Sequence, residues 1–371
     1  MGVRIGVTGG FGFLGWHTSA RLLSLGAEVR RLGRNDLEHG DAPLEGLDAV
    51  CHCAGVNRGD PAAVRAGNLD AAGMLTDKIR RARVRPRRLV YANSTQSLSD
   101  SPYGRSKREA GEALAGFCAE EGIEYHDATV PNVFGEGGRP FYNSFVATFC
   151  HQLAVGDPCT VVQDSDVVLT HAQQVAAALA DAALHGTPIP NPMPGTQATV
   201  SGVLSLLEHQ LGTYRSGVFP NLDDPFAVDM FNTLRAAVFA AHSPVIHFTT
   251  HTDPRGWLVE TVKSHGGGQT FVSSTVPGVT RGNHYHLRKI ERFAVVQGSA
   301  TIQMRRLFSD EIQTFHVNGA DPVAVEIPTL HTHLITNSGN DPLLTLFWAN
   351  ELFDPEAPDT FGLPVVSGPD R

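Results

Sequence analysis

Two groups of side chains have the types and spacings that chemistry needs. His284 and His286 alternate along one short strand-like run, so both imidazoles face the same way. Glu291 opens the next such run, and His333, between Pro328 and Asn337, supplies a third imidazole. Three imidazoles and a carboxylate can hold a divalent transition ion, with zinc expected first and iron, manganese and nickel left open. His316 and His331 fit polar barrel or surface positions better than ligand positions. The second group is Tyr103 and Lys107, spaced to share one face of a helix, with Ser94 ending the strand before it. A phenol titrates at about 10 and is a poor acid or base at neutral pH. The Lys107 ammonium is expected to stabilise the phenolate and bring Tyr103 toward its working range. Ser94 can position a carbonyl oxygen that Tyr103 protonates while a hydride reaches the carbon. A lone His-x-His is more often structural, and Tyr-x-x-x-Lys arises by chance in many helices, so the setting decides both.

That setting begins with Thr8-Gly9-Gly10-Phe11-Gly12-Phe13-Leu14-Gly15, a glycine-rich turn between a strand and a helix. Gly9 permits the tight turn, Gly12 lets a pyrophosphate approach the backbone, and Gly15 lets the helix pack close to the sheet. The helix N-terminus then offers free amides and a positive dipole end to the phosphates. At the end of the second strand an NAD site usually carries an acid. This chain has Arg30-Arg31-Leu32-Gly33-Arg34, and guanidinium groups at Arg31 and Arg34 suit a 2′-phosphate. NADPH is therefore the expected cofactor; the plainer reading is that these arginines are solvated surface residues.

The elements that position these groups follow from pattern. Short apolar strands at 3–8, 28–32, 49–53, 88–92 and 124–129 alternate with helical stretches at 68–83 and 103–121, which predicts a Rossmann-like, doubly wound parallel sheet. The stretch 34–48 is too short for a full strand and helix, so the sheet edge there should be abbreviated. From about residue 244 the chain reads as short strands between Gly, Pro, Asn and Asp turns, the mark of an all-β sandwich or barrel, a jelly-roll barrel among them. The expected domains are 1–243 and 244–371, with the proline-rich run 188–194 a loop inside the first.

Composition fits an ordinary globular chain: 371 residues, 42% hydrophobic and 18% charged. A net charge of −9 gives no field for nucleic acid or an anionic membrane. No long apolar run suggests a signal peptide or a membrane span. Five scattered cysteines without a Cys-x-x-Cys pair fit reduced thiols in a cytoplasm.

The Ser94, Tyr103 and Lys107 arrangement behind a glycine-rich turn resembles the extended short-chain dehydrogenase/reductase family. The spacing from Gly278 through His284, His286 and Glu291 to Gly298 resembles the first cupin motif. The second departs from its pattern, with Leu330 where glycine is usual. Many sugar-nucleotide reductases read Arg-Pro-x-Asn-Val-Tyr-Gly, whereas this chain has Ala128-Thr129-Val130-Pro131-Asn132-Val133-Phe134-Gly135, without the arginine. Together with His52–Arg58, Pro102–Lys107, Tyr142-Asn143-Ser144, Arg281–His286 and Trp348–Pro355, the whole chain resembles the CapF-type enzymes of capsular polysaccharide synthesis. The resemblance implies a cofactor site lined by Thr8, Phe11, Phe13, Leu14, Cys53, Ala54 and Gly55 beside the glycines, and a homodimer. It also implies a bifunctional enzyme on a UDP-linked 4-keto-6-deoxy sugar. Its cupin epimerises C3 of a UDP-2-acetamido-2,6-dideoxy-hexos-4-ulose, and NADPH-dependent C4 reduction then gives UDP-N-acetyl-6-deoxy-L-talosamine, on the route to UDP-N-acetyl-L-fucosamine. Lys263, Glu260 and His331 are candidate bases for the epimerisation, each equally at home in a structural role. A reductase of another nucleotide-linked ketosugar with a structural barrel is the alternative, and a non-enzymatic nucleotide sensor fits the intact Ser94, Tyr103 and Lys107 poorly.

Overall fold

Strands β1 (Arg4–Thr8), β2 (Glu28–Leu32), β3 (Ala49–His52), β4 (Arg88–Ser94) and β5 (Glu124–Val130) lie parallel in the order β2-β1-β3-β4-β5. β1, β3 and β4 are buried almost end to end, as a parallel sheet covered on both faces requires. These facts come from a computed structural model that describes residues 2–40 and 43–366. On one face, Leu22 of α1 (Phe13–Ser24) and Val175 and Leu179 of α6 (Ala172–His185) pack on Ile5, Val7 and Val90. On the other, Leu37 of α2 (Arg34–His39), Leu75 and Ile79 of α3 (Pro61–Arg81), and Leu114 and Phe117 of α4 (Pro102–Glu121) pack on Val50 and Leu89. The abbreviated edge is present as expected: α2 is one short helix, no strand lies between it and β3 among the described residues, and β2 ends the sheet. Strand order reverses between β1 and β3, so their carboxyl ends flank the crevice where such sheets bind ligands. After β5 the chain forms β6 (Asn132–Phe134), α5 (Phe145–Val155), β7 (Asp166–His171) and β8 (Thr196–Thr199), with β6, β7 and β8 in a small second sheet.

The remaining helices are α7 (Val200–Arg215) and α8 (Pro225–Ala241). Beyond them lie β9 (Val245–His247) and a hairpin of β10 (Thr250–Asp253) with β11 (Gly256–Val259). Then come β12 (Gln269–Thr275), β13 (Thr280–Tyr285), β14 (Glu291–Gln297), β15 (Ser299–Arg306) and β16 (Ile312–Asn318). β17 (Val323–Ile327), β18 (His331–Asn337), β19 (Leu343–Ala349) and β20 (Phe361–Gly362) complete the chain. Two antiparallel sheets, ordered β12-β19-β14-β17-β9 and β16-β15-β18-β13-β20, share one apolar interior. Phe293, Val325 and Phe347 come to it from the first sheet, Ile302, Met304 and Ile335 from the second.

Compact packing divides the chain into Met1–Thr148 with Val161–Gly202, and Phe149–Thr160 with Val203–Arg371. The packing boundary thus falls before α8 and not at 243/244. The physical reason is a buried ion cluster. Arg235 of α8 donates to Glu326 of β17 at 2.8 Å, and Arg292 of β14 donates to the same carboxylate at 2.7 Å. Asn232 adds a bond to the Arg288 carbonyl at 2.8 Å, and Phe219 stacks on Trp348 at 4.1 Å. Glu326 is fully buried and Arg235 is 1% exposed, so neither guanidinium has water to fall back on. Replacing Glu326 by Gln is therefore expected to destabilise the chain by about 3–5 kcal/mol, the cost of leaving buried charge uncompensated. Urea unfolding followed by tryptophan fluorescence checks it; a loss below about 1 kcal/mol would mean the arginines are rescued by water.

Candidate active site and metal centre

The glycine turn closes over the carboxyl end of β1. Gly9 stands at φ 66°, and a Cβ at Gly15 would lie 2.2 Å from the Gly9 carbonyl, so only glycine lets α1 start this close to the strand. No side chain caps α1 and no acidic residue stands in its first turn, which leaves its amides and positive end to an anion. The chain's own residues thus fit a dinucleotide pyrophosphate. Phe11 is 65% exposed at the tip of the turn, while Phe13 and Leu14 are half-buried on α1. Cys53, Ala54 and Gly55 run along the opposite wall. A Cβ at Gly9 would touch Ala54 at 2.8 Å, and one at Gly55 would lie 3.9 Å from Lys107 Nζ. Thr8 is fully buried and its hydroxyl is taken by His52 Nδ1 at 2.6 Å, so its side chain anchors the strand end and does not face the crevice.

The two arginines differ. Arg31 Nε donates to the Gly10 carbonyl at 2.8 Å and its guanidinium lies 4.4 Å over the Phe11 ring, which fixes it beside the glycine turn. Arg34 is exposed on α2 and paired with Glu38 at 3.5 Å, an interaction water largely screens. Asp36, also on α2, accepts from the Gly33 amide at 2.7 Å.

Tyr103 and Lys107 sit in the first turns of α4, with Pro102 opening the helix and Ser101 capping it through the Gly104 amide at 3.0 Å. Between them, a Cβ at Gly104 would meet the Gln96 carbonyl at 2.1 Å. Glycine there lets α4 press against the turn Thr95–Leu98 that follows Ser94. Burial pushes the Tyr103 phenol up, and a hydrogen bond from Ser94 pulls it partly back. Here the sequence expectation is corrected: Ser94, not the Lys107 ammonium, opposes the rise. Lys107 donates to the Ala92 carbonyl at 2.8 Å and lies 4.1 Å over the Tyr91 ring. Burial lowers it to about 7, with the Asp127 carboxylate opposing.

Residues missed in the sequence support this site. Asn68 of α3 bonds both backbone groups of Val56 at 2.8 and 2.9 Å and the Ser106 hydroxyl at 2.9 Å, tying the 53–56 wall to α4. Buried Glu136 accepts from His171 at 3.0 Å while its carbonyl meets His17 Nε2 at 2.8 Å, joining α1, α6 and the loop after β6. Burial pushes the Glu136 carboxyl up, but His171 and His17 outweigh it and hold it at about 2. Asn and Glu carry no local signature for such ties, because their partners lie far along the chain.

In the β unit, His284, His286, Glu291 and His333 offer four ligand atoms within 4.8 Å of one another. All four predicted ligands meet. Gly282 at φ 104° and Asn283 at φ 58° bulge β13, which turns His284 across to His333 of β18. Leu330, in the usual glycine position, adopts φ 61° at the turn into β18. The donor set of the cluster suits a divalent cation. His286 Nδ1 faces the Asp359 carbonyl at 2.6 Å and His333 Nδ1 faces the His331 carbonyl at 3.2 Å. A carbonyl only accepts, so each Nδ1 carries a proton. Their Nε2 atoms are buried without a hydrogen bond, 3.1 and 3.3 Å from Glu291 Oε2. Wherever Nε2 is unprotonated, it and the carboxylate can together ligate a cation. Burial, then His333 and His286, lower His284 to about 3. Burial pushes Glu291 up, but His286 and His333 hold it well below the usual carboxylate range.

The candidate epimerisation bases separate. Lys263 and Glu260 line a cavity of about 560 Å³ with Arg292 and Tyr214. Arg292 follows Glu291 on β14, so this cavity lies on the face of the sheet opposite the ligands. Neither side chain serves the metal cluster. His331 shares the face of β18 with His333.

With the geometry in place, the comparisons are specific. Residues 5–192 match the NAD dependent epimerase/dehydratase family, and 251–361 match the polysaccharide biosynthesis C-terminal domain. A UDP-2-acetamido-2,6-beta-L-arabino-hexul-4-ose reductase of Pseudomonas aeruginosa is 32% identical over 99% of this chain and all of its own. The crystal structure of the capsular polysaccharide assembling protein CapF from Staphylococcus aureus is 31% identical over 97% of this chain and all of its own, with a TM-score of 0.59. The chain belongs to the CapF-type family. It is accordingly a sugar-nucleotide enzyme of the epimerase/reductase kind with a nicotinamide dinucleotide cofactor. A UDP-N-acetylglucosamine 4-epimerase from Methanobrevibacter ruminantium shares the fold alone, at 16% identity over 65% of this chain and a TM-score of 0.54. Among the described residues no helix is long and apolar enough to cross a membrane.

Lys107 should be visible directly, because this CapF-type chain has four lysines, Lys78, Lys107, Lys263 and Lys289. In the free protein one lysine resonance should titrate near pH 7 by carbon-13 NMR and vanish in Lys107→Met. The folded state disfavours the charged form, so between about 7 and the ordinary 10.5 the unfolded chain binds more protons and stability rises with pH. Four lysines all titrating above 10 would contradict the burial of this ammonium.

Proposed function

We propose that the chain is a bifunctional UDP-sugar enzyme. Its barrel half epimerises C3 of a UDP-2-acetamido-2,6-dideoxy-hexos-4-ulose, and its reductase half then reduces the C4 ketone with NADPH. The product is UDP-N-acetyl-6-deoxy-L-talosamine, formed in the cytoplasm by a homodimer carrying zinc at the cupin site. The observation that carries the reductase reading is Tyr103, kept as a phenol by burial and bonded to Ser94, on the helix beside the cofactor crevice. The name of the Pseudomonas aeruginosa relative supports the sugar.

Bound NADPH supplies the hydride and a bound divalent ion supplies Lewis acidity. The chain's residues do the rest. Ser94 orients the ketone oxygen by hydrogen bonding, and Tyr103 gives that oxygen its proton as the alkoxide forms. A phenol pushed up in pKa is protonated at neutral pH, the state an acid catalyst of reduction needs. Lys107, near neutrality and beside Gly55, is placed to bond the cofactor's ribose. Arg31, fixed over Phe11, reads the 2′-phosphate, with Arg34 a more mobile second contact. His284, His286, Glu291 and His333 hold the ion. C3 lies alpha to the ketone, so its proton is acidic until C4 is reduced, and His331 is the base that the face of β18 favours.

Purified protein should oxidise NADPH in the presence of the 4-ketosugar nucleotide, and Tyr103→Phe should lower kcat by at least 100-fold with cofactor affinity kept; unchanged turnover would remove Tyr103 from the chemistry. Arg31→Ala should weaken NADPH by roughly 10–100-fold, the worth of a charge-assisted contact, and leave NADH unaffected. In deuterated water without NADPH, deuterium should enter at C3, persist in Lys263→Ala and disappear in His284→Ala. Retention of a reductase with no exchange would favour a structural barrel.

A further inference from the structure

Asp359 lies beyond the last long strand and belongs to neither ligand motif. It is 4% exposed and holds φ 44°, a left-handed conformation that most residues avoid and that Asp and Asn tolerate best. Both of its polar ends are used. The carboxylate accepts three successive backbone amides, Leu287 at 3.2 Å, Arg288 at 2.9 Å and Lys289 at 2.8 Å. These amides form the turn between His286, which directly follows β13, and β14, which begins at Glu291. Its carbonyl accepts the Nδ1 proton of His286 at 2.6 Å.

We propose that Asp359 is the positioning residue of the metal centre. This rests on reading His284, His286, Glu291 and His333 as a metal site. The side chain grips the turn, the grip fixes the carbonyl, and the carbonyl fixes His286 in the tautomer whose Nε2 lone pair faces the ion. The same grip sets the turn that delivers Glu291. Neighbouring bonds hold the segment in register without touching a ligand side chain. Leu363 donates to the Asn283 carbonyl at 2.8 Å, and Arg305 donates to the carbonyls of Val365 at 2.7 Å and Pro364 at 2.9 Å. Arg305→Met therefore loosens the segment while leaving the Asp359 contacts in place, which makes it the control for a merely structural role.

Outer-shell partners of this kind change metal affinity by about 10–100-fold. Asp359→Gly keeps the left-handed backbone and removes the grip. Asp359→Asn keeps one oxygen and so the pair of amides at Arg288 and Lys289. Zinc affinity of the full chain, measured by competition with a chromophoric chelator after metal removal, should fall about 10–100-fold in Asp359→Gly and less in Asp359→Asn. Arg305→Met should lower the melting temperature without that loss. Nitrogen-15 spectra of the zinc-loaded wild type should show His286 protonated at Nδ1, a readout independent of whether any variant folds. Equal zinc affinity in wild type and Asp359→Gly, or a His286 protonated at Nε2, overturns the proposal. A wild type that binds no zinc overturns the metal reading itself.

Discussion

Three imidazole nitrogens and a carboxylate oxygen within 4.8 Å, buried in a β interior, are a liability unless something positive sits among them. Desolvated polar groups of this kind are costly without a charge or donor to face. The surrounding apolar residues, Phe293, Met304 and Ile335 among them, make that constraint stricter by keeping the interior dry. Much of the β unit can be read as its consequence. The bulge at Gly282 and Asn283, the left-handed Leu330 and the left-handed Asp359 are all departures from regular strand geometry. Each adjoins a ligand or a ligand's partner. Strained backbone collected around one cluster is the pattern of a site the fold is organised to hold.

The nucleotide unit answers a different constraint, the close approach of backbone to ligand. Gly15 and Gly104 each stand where a Cβ would run into a carbonyl at about 2 Å, one where α1 starts and one where α4 starts. The first lets helix amides meet phosphates. The second lets Tyr103 stand beside Ser94. Lys107 then has little freedom: Ala92, Tyr91 and Gly55 surround its ammonium. Burial that lowers Lys107 and raises Tyr103 moves both toward their uncharged forms, and an incoming anionic cofactor would restore the lysine's charge without ionising the phenol.

What could be read in the sequence was whatever is local. Alternation placed His284 and His286 on one face, and glycine spacing located the turn at 9–15. The strands 291–297 and 323–327 matched those observed, since their apolar runs end at turn residues. Long-range polar ties stayed hidden. Nothing near Arg235 in sequence points to Glu326, so α8 looked like part of the first domain although its buried charge belongs to the second unit. Asn68, Glu136 and Asp359 were invisible for the same reason, as their partners are remote backbone or single side chains. The charge state of Tyr103 was misread because helical spacing fixes which face Lys107 occupies but not what its ammonium touches. Lys263 and Glu260 line a cavity with Arg292, on the other face of β14 from Glu291, a placement that needs the register of β14 and not composition.

The direction of the proposed chemistry follows from these charge states. A C3 proton is labile only beside a ketone, so inversion at C3 must come before C4 is reduced. Reduction needs a proton donor at the oxygen, and burial keeps Tyr103 in that form. Once the oxygen carries that proton and C4 is an alcohol, the C3 hydrogen is no more acidic than any other on the ring. A base near His333 then has nothing to act on. The reductase step thus locks the configuration set at C3, and the equilibrium of an otherwise reversible inversion is drawn toward product by consumption of NADPH.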